Sequence, residues 1–94
     1  MTFANKLKDF TVIFAPLAKK ELAKINKSDA LKIKEKLNKL VSGIQNLGII
    51  KMASKKIPTY RFRVGNYRVI YEIHKQKIII KVIQIGHRKE VYKF

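Results

Sequence analysis

The chain has 94 residues, 47% of them hydrophobic, which suits one small domain with one modest core and leaves no room for a second. Lysine and arginine number 22 against 6 acids, a formal charge of +16, so the expected partner is a polyanion: nucleic acid, an anionic membrane surface or an acidic protein. The absence of cysteine excludes disulfides, thiolate metal sites and a cysteine nucleophile, and two histidines argue against an all-histidine metal centre.

Residues 1–9 show no period and read as an N-terminal extension. Phe10 to Ala15 is β-branched and aromatic and predicts a strand, ended by Pro16. Proline suits the first turn of a helix, and Ala18, Leu22 and Ile25 then share one face, so a helix is predicted from Pro16 to about Ile25. The apolar run around Phe14 superficially resembles a signal peptide, but proline breaks it and no small-x-small cleavage pattern follows. No stretch approaches the roughly 20 apolar residues of a membrane span, so a cytoplasmic location and no membrane partner are expected.

After a turn at Asn26-Lys27, Ser28 is placed as an N-cap with Asp29 at the positive helix end. Ala30, Ile33, Leu37, Leu40, Val41, Ile44 and Leu47 then hold helical spacing for roughly five turns, with Gly48 as the stop. Two helices joined by so short a turn predict an antiparallel helical hairpin. Ile49 to Thr59 carries Lys51, Lys55, Lys56 and Pro58 without a period and reads as a basic loop.

From Tyr60 the period changes to two. Strands are predicted at Tyr60 to Val64, Tyr67 to His74 and Lys77 to Ile85, joined at Gly65-Asn66 and Lys75-Gln76 as an antiparallel meander. One face collects Tyr60, Phe62, Val64, Tyr67, Val69, Tyr71, Ile73, Ile78, Ile80 and Val82 and is fit to receive the helices. The other collects Arg61, Arg63, Arg68, Ile70, Glu72, His74, Lys77, Ile79, Lys81, Ile83 and Ile85. The whole reads as a single α+β unit over residues 1–94.

If Gly65 and Asn66 are the loop residues of a primed turn, Arg63 faces Arg68 across the ladder. Like charges directly opposite destabilise a hairpin, a cost that makes sense where an anion sits between them. Arginine is also the residue suited to planar, bidentate phosphate contact. Extending the register, Arg63, Arg68 and Ile83 form one cross-strand row and Arg61, Ile70 and Lys81 the next, a plate of four cations. Gly86 permits a bend by which Arg88 and Tyr92 return over that plate.

Alternating charges usually mark no more than a solvated sheet face, yet such a face gains nothing from arginine opposite arginine. Ile70, Ile79 and Ile83 on the same side ask for a covering protein segment. His74 lies beside a turn and reads as solvated. Neither histidine has a close carboxylate in the sequence, so no triad, metal site or cofactor is indicated. Lys32, Lys34, Lys36 and Lys39 read as a solvated helix face whose field attracts RNA.

The pattern Tyr60-Arg61-Phe62-Arg63-Val64-Gly65-Asn66-Tyr67-Arg68-Val69-Ile70-Tyr71, with Ile85-Gly86-His87-Arg88 and Val91-Tyr92, resembles the RelE/ParE superfamily of toxins from toxin–antitoxin systems. The resemblance runs from about Phe10 to the C-terminus. It implies a RelE-like fold: an N-terminal strand, a helical hairpin, then a three-stranded antiparallel meander packed on the helices. In the RelE branch it implies a toxin that enters the ribosomal A site and cuts messenger RNA with the 2′-hydroxyl as nucleophile. The implied partners are mRNA, the ribosome and an acidic antitoxin, with the free toxin a monomer.

Carried over by position, Arg68 stands at the phosphate-binding arginine, Arg88 at the transition-state arginine and Tyr92 at the terminal tyrosine. Arg61 and Arg63 stand where relatives often carry lysines. Arg61, Lys81, Lys51, Lys55, Lys56 and His87 are expected RNA contacts, and Ile70, Ile79 and Ile83 expected antitoxin contacts. Arginine does not surrender its proton in a protein, so Arg61 and Arg63 hold phosphate but do not replace a lysine base. That role falls to Tyr92, His87 or a loop lysine such as Lys51 or Lys56. A ParE-like inhibitor of DNA gyrase and a non-catalytic RNA-binding module are the alternative readings.

Overall fold

In the computed structural model, residues 9–44 and 46–87 are described. Strand β1 (Thr11–Phe14) runs into Pro16, which opens helix α1 (Pro16–Lys24). Helix α2 (Lys27–Val41) begins two residues earlier than the Ser28 cap implies. Its cap is Asn26, whose side-chain oxygen accepts from the Asp29 backbone N–H at 2.8 Å while its amide donates to the Asp29 carboxylate at 3.0 Å. Asparagine caps as well as serine, and Asp29 three residues on completes a reciprocal pair.

The same helix ends at Val41, not near Leu47, and Gly43 rather than Gly48 stops it. Gly43 takes a φ of 83°, its N–H donates to the Leu40 carbonyl at 3.1 Å, and the Ile44 N–H donates to the Lys39 carbonyl at 3.0 Å. This is the paired-bond C-cap that a left-handed glycine permits. Ile44 is consequently exposed, while Leu47 still packs against the core from the loop.

Four more strands follow among the described residues: β2 (Ile50–Lys51), β3 (Thr59–Val64), β4 (Tyr67–His74) and β5 (Ile79–His87). They form one sheet in the order β1-β5-β4-β3-β2, with β1 parallel to β5 and the other pairs antiparallel. Part of the predicted basic loop is thus a strand, since Ile50 pairs with Arg61 and Lys51 with Tyr60.

The β4–β5 connection is longer than Lys75-Gln76. Ile78 takes a left-handed φ of 55° and donates its N–H to the Lys75 carbonyl at 3.3 Å, so β5 starts at Ile79. A bulge follows: Ile70 pairs with Gln84 but Tyr71 with Val82, and Ile83 falls between. The extra residue reverses the inward parity of β5. Ile80 and Val82 face the core before it, and Ile85, assigned by period to the outer face, is buried in the core after it.

Both helices contribute to that core: Ala18 from α1, and Ile33, Leu37 and Leu40 from α2, against Phe62, Val64, Val69, Tyr71, Ile73, Ile80, Val82 and Ile85 of the sheet. Each large apolar side chain so buried contributes about 1.5–3 kcal/mol. Tyr71 stacks on Tyr60 at 5.6 Å and tilts against Phe62 at 6.0 Å. Burial, and secondarily Tyr60, push the Tyr71 hydroxyl above its ordinary pKa. No helix among the described residues is long and apolar enough to cross a membrane.

Candidate functional site

The β3–β4 hairpin turns at Gly65-Asn66 as the sequence predicts. Gly65 has a φ of 56°, whereas the left-handed non-glycine residues among those described are Asn46, Ser54 and Ile78, so Asn66 is not one of them. A positive φ at the first loop residue alone is the pattern of a II′ turn. Val64 then pairs with Tyr67 and Arg63 with Arg68.

Across β4, Arg68 is in register with Gly86 rather than Ile83, because the longer β4–β5 turn shifts the pairing by two residues and the bulge by one more. Gly86 does not bend the chain; it stays within β5 and faces Arg68 without a side chain. The next row on this face is Arg61–Ile70–Gln84. Lys81 sits further along, in register with Glu72 and Ile13, so it leaves the cluster and the predicted four-cation plate reduces to three arginines.

Strand β2 supplies the wall that the sequence did not suggest. Gly48, Ile50, Arg61, Phe62, Arg63 and Arg68 line a cavity of about 280 Å³. Arg68 is only 5% exposed, Arg61 is half-buried and Arg63 is exposed. Three guanidiniums gathered around one recess, one of them shielded from water, suit an entering oxyanion. Guanidinium groups hold their protons in a protein, so the chemistry this lining offers is confined to holding and neutralising an anion.

The remaining predicted residues are distributed elsewhere. Lys51 pairs with Tyr60, so strand alternation turns it to the face opposite Arg61. Lys55 is exposed in the following loop. Lys56 lines a separate cavity of about 420 Å³ with Ile57, Pro58, Ile73, His74, Lys75, Gln76 and Lys77, at the far end of the β3–β4 pair. His87 is exposed at the end of β5, in register with Tyr67, whose ring it meets edge-on at 6.1 Å. Arg88 and Tyr92 lie outside the described residues.

Ile70 is fully buried, at 0% exposure, and is removed from the expected antitoxin contacts; Ile79 and Ile83 are partly accessible. In its cross-strand row Ile70 sits between Arg61 of β3 and Gln84 of β5.

Two relationships were not foreseen from the sequence. His74 Nε2 lies 2.8 Å from Glu72 Oε1, so this histidine does have a carboxylate neighbour. Two residues apart on a strand means the same face, which was the available signal. Lys36 is partly buried and bonded to the sheet rather than freely solvated. Its Nζ donates to the Arg63 carbonyl at 3.0 Å and lies 5.3 Å from the Phe62 ring centroid, and burial together with Lys39 lowers its pKa. Lys32, Lys36 and Lys39, with Glu35, Asn46, Leu47, Arg63 and Val64, line a further cleft of about 360 Å³. The i, i+4, i+7 spacing of the three lysines marks one helix face.

With this geometry in place, the relatives are informative. Residues 12–92 match the family described as ParE toxin of type II toxin-antitoxin system, parDE. The chain belongs to this toxin family, within the RelE/ParE superfamily. No curated protein sequence matches it. Its fold is shared with RelE in the archaeal RelE–RelB complex from Pyrococcus horikoshii OT3, with a TM-score of 0.71 and 24% identity over 85% of this chain and 96% of that one. The isolated E. coli RelE toxin gives 0.72 and 24% over 89% and 92%. The RelB–RelE antitoxin–toxin complex from Methanococcus jannaschii gives 0.70 and 27% over 86% and 95%.

Proposed function

We propose that this toxin is a metal-independent, ribosome-dependent mRNA endoribonuclease held inactive by an acidic antitoxin. The observation that carries the proposal is the convergence of Arg61, Arg63 and Arg68 on one recess, which suits a phosphodiester. The 2′-hydroxyl attacks the adjacent phosphorus, the P–O2′ bond forms, the P–O5′ bond breaks, and the 5′-oxygen leaves with a proton. Arg68 and Arg88 neutralise the charge that gathers on the phosphorane, and Arg61 and Arg63 hold the strand. Tyr92 or His87 handles the proton, a task the arginines cannot perform.

A net charge of +16 steers the protein to the ribosome and favours an acidic antitoxin. RelE is captured with RelB in the P. horikoshii and M. jannaschii complexes, which supports a partner of that kind here. Of the three expected antitoxin contacts, Ile79 and Ile83 are the partly accessible ones.

The test compares mRNA cutting on programmed ribosomes by wild type, Arg68→Ala and Arg88→Ala. Both variants should lose most activity, and undiminished cutting by both rejects the mechanism. The match to the ParE family favours a second reading, a gyrase inhibitor acting by protein contact. Loss of DNA supercoiling without RNA cleavage would select it.

A further inference from the structure

We propose that the cleft between α2 and the hairpin end of β3 is a second anion site, holding a flanking phosphate of the RNA strand whose scissile phosphodiester occupies the arginine recess. This rests on the RNA-cleaving reading above and extends it to the length of strand bound.

The two cavities adjoin. Arg63 lines both, and the segment leading into β2 contributes Asn46 and Leu47 to the cleft and Gly48 and Ile50 to the recess. Lys32, Lys36 and Lys39 line the α2 side of the cleft, three cations against the single carboxylate of Glu35, with the Arg63 carbonyl that Lys36 binds opposite them. A strand leaving the recess past Arg63 therefore enters a second basic depression.

Lys36 is held in place rather than free to sweep solvent. Its hydrogen bond to the Arg63 carbonyl and its position over Phe62 fix the ammonium at the junction of helix and sheet. Burial and the nearby Lys39 both disfavour its charged form. A phosphate beside it relieves the crowding and restores the lost solvation.

Nucleic acid fits better than an acidic peptide. The apolar lining is confined to Leu47 and Val64, and Val64 is only 8% exposed, which offers little to the apolar side chains that a protein segment brings. Continuity with the first recess through one shared residue, Arg63 at the rim of β3, suits a partner that carries charge repeatedly along one chain.

The experiment uses the full chain and two RNA probes, each with a 2′-deoxy group at the cleavage position: a dinucleoside monophosphate and a hexanucleotide. Lys32→Ala/Lys39→Ala removes exposed charges and spares Lys36. The expected result is roughly tenfold weaker hexanucleotide binding, with the log–log salt slope reduced by about 0.7 for each phosphate no longer neutralised, and unchanged dinucleotide binding. Unchanged hexanucleotide binding, or equal weakening of both probes, overturns the proposal. So does loss of poly-glutamate binding by the double variant with RNA binding intact, which would make the cleft a protein-docking site. Arg68→Ala separates the two ideas: if it weakens neither probe, the arginine recess fails as the phosphate site whatever the lysine pair does.

Discussion

The Glu21 side chain of α1 accepts a 2.9 Å hydrogen bond from the backbone N–H of Ile85 in β5. Strand β1 ends at Phe14 opposite Val82, so among the described residues no strand lies along that edge of β5 beyond this point, and Glu21 supplies an acceptor there. Removing the acceptor orphans a backbone donor at the bulged end of the sheet. Glu21→Ala should lower stability by about 1–2 kcal/mol in urea denaturation at neutral pH, with Glu21→Gln losing less. Equal midpoints for Glu21→Ala and wild type would contradict this role.

The opposition of Arg63 and Arg68 predicts that the empty protein carries avoidable repulsion. Without added anions, Arg63→Met should match or exceed wild-type stability by up to about 1 kcal/mol. Inorganic phosphate should reverse the order, because a ligand at 100 times its Kd stabilises its host by about 2.7 kcal/mol and the variant binds it less well. Thermal unfolding with and without phosphate measures both effects. A wild type indifferent to phosphate counts against the recess as an anion site.

Tyr71 makes stability fall in alkali. Its raised pKa means that the unfolded chain releases the phenolic proton first, so the contribution is complete below about pH 10 and is lost as pH rises beyond that. Lys36 has the opposite sign: its lowered pKa means the folded state sheds the proton first, and stability is gained as pH climbs toward the ordinary lysine range. Urea midpoints between about pH 9 and pH 11 should therefore decline less for Tyr71→Phe than for wild type. Parallel declines would remove Tyr71 as the source.

Ile78 is a β-branched residue in the left-handed region and is exposed, so strain there is not repaid by burial. Ile78→Asn should raise stability by about 1 kcal/mol. Gly65→Ala is the converse case: space exists for the methyl group, but its φ of 56° does not suit alanine, and a loss of about 1–2 kcal/mol is expected. Chemical denaturation of both variants provides the measurement.

Local chemistry was well written in the sequence. Period two located β3 and β4, Gly65-Asn66 fixed their register, and the register alone set Arg63 against Arg68. Helix ends were mistaken where a periodic run outlasted its cap: Ile44 and Leu47 continue the spacing of α2, yet Gly43 stops it by closing two backbone bonds. The bulge was hidden because β5 has apolar residues at both parities, Ile79, Ile80, Ile83 and Ile85, which leaves no mark of where the strand slips. Strand β2 is two residues long and exists through its pairing with Arg61 and Tyr60. The recess it walls, like the bond from Lys36 to Arg63, depends on partners distant along the chain that periodicity cannot express.

Because β5 lies between β1 and β4, strand β1 must wait for β5, the last strand among the described residues. Thr11 finds its neighbour at Ile79, and α1 packs against that same late strand through Ala18 and the Glu21 bond. While the polypeptide is being synthesised, the arginine hairpin can close locally, but the N-terminal segment has no sheet to join. Such high contact order slows folding, since a long loop must close before its pairings reward it. On the ribosome, strand β1 therefore stays without its sheet until residues 79–82 have left the exit tunnel.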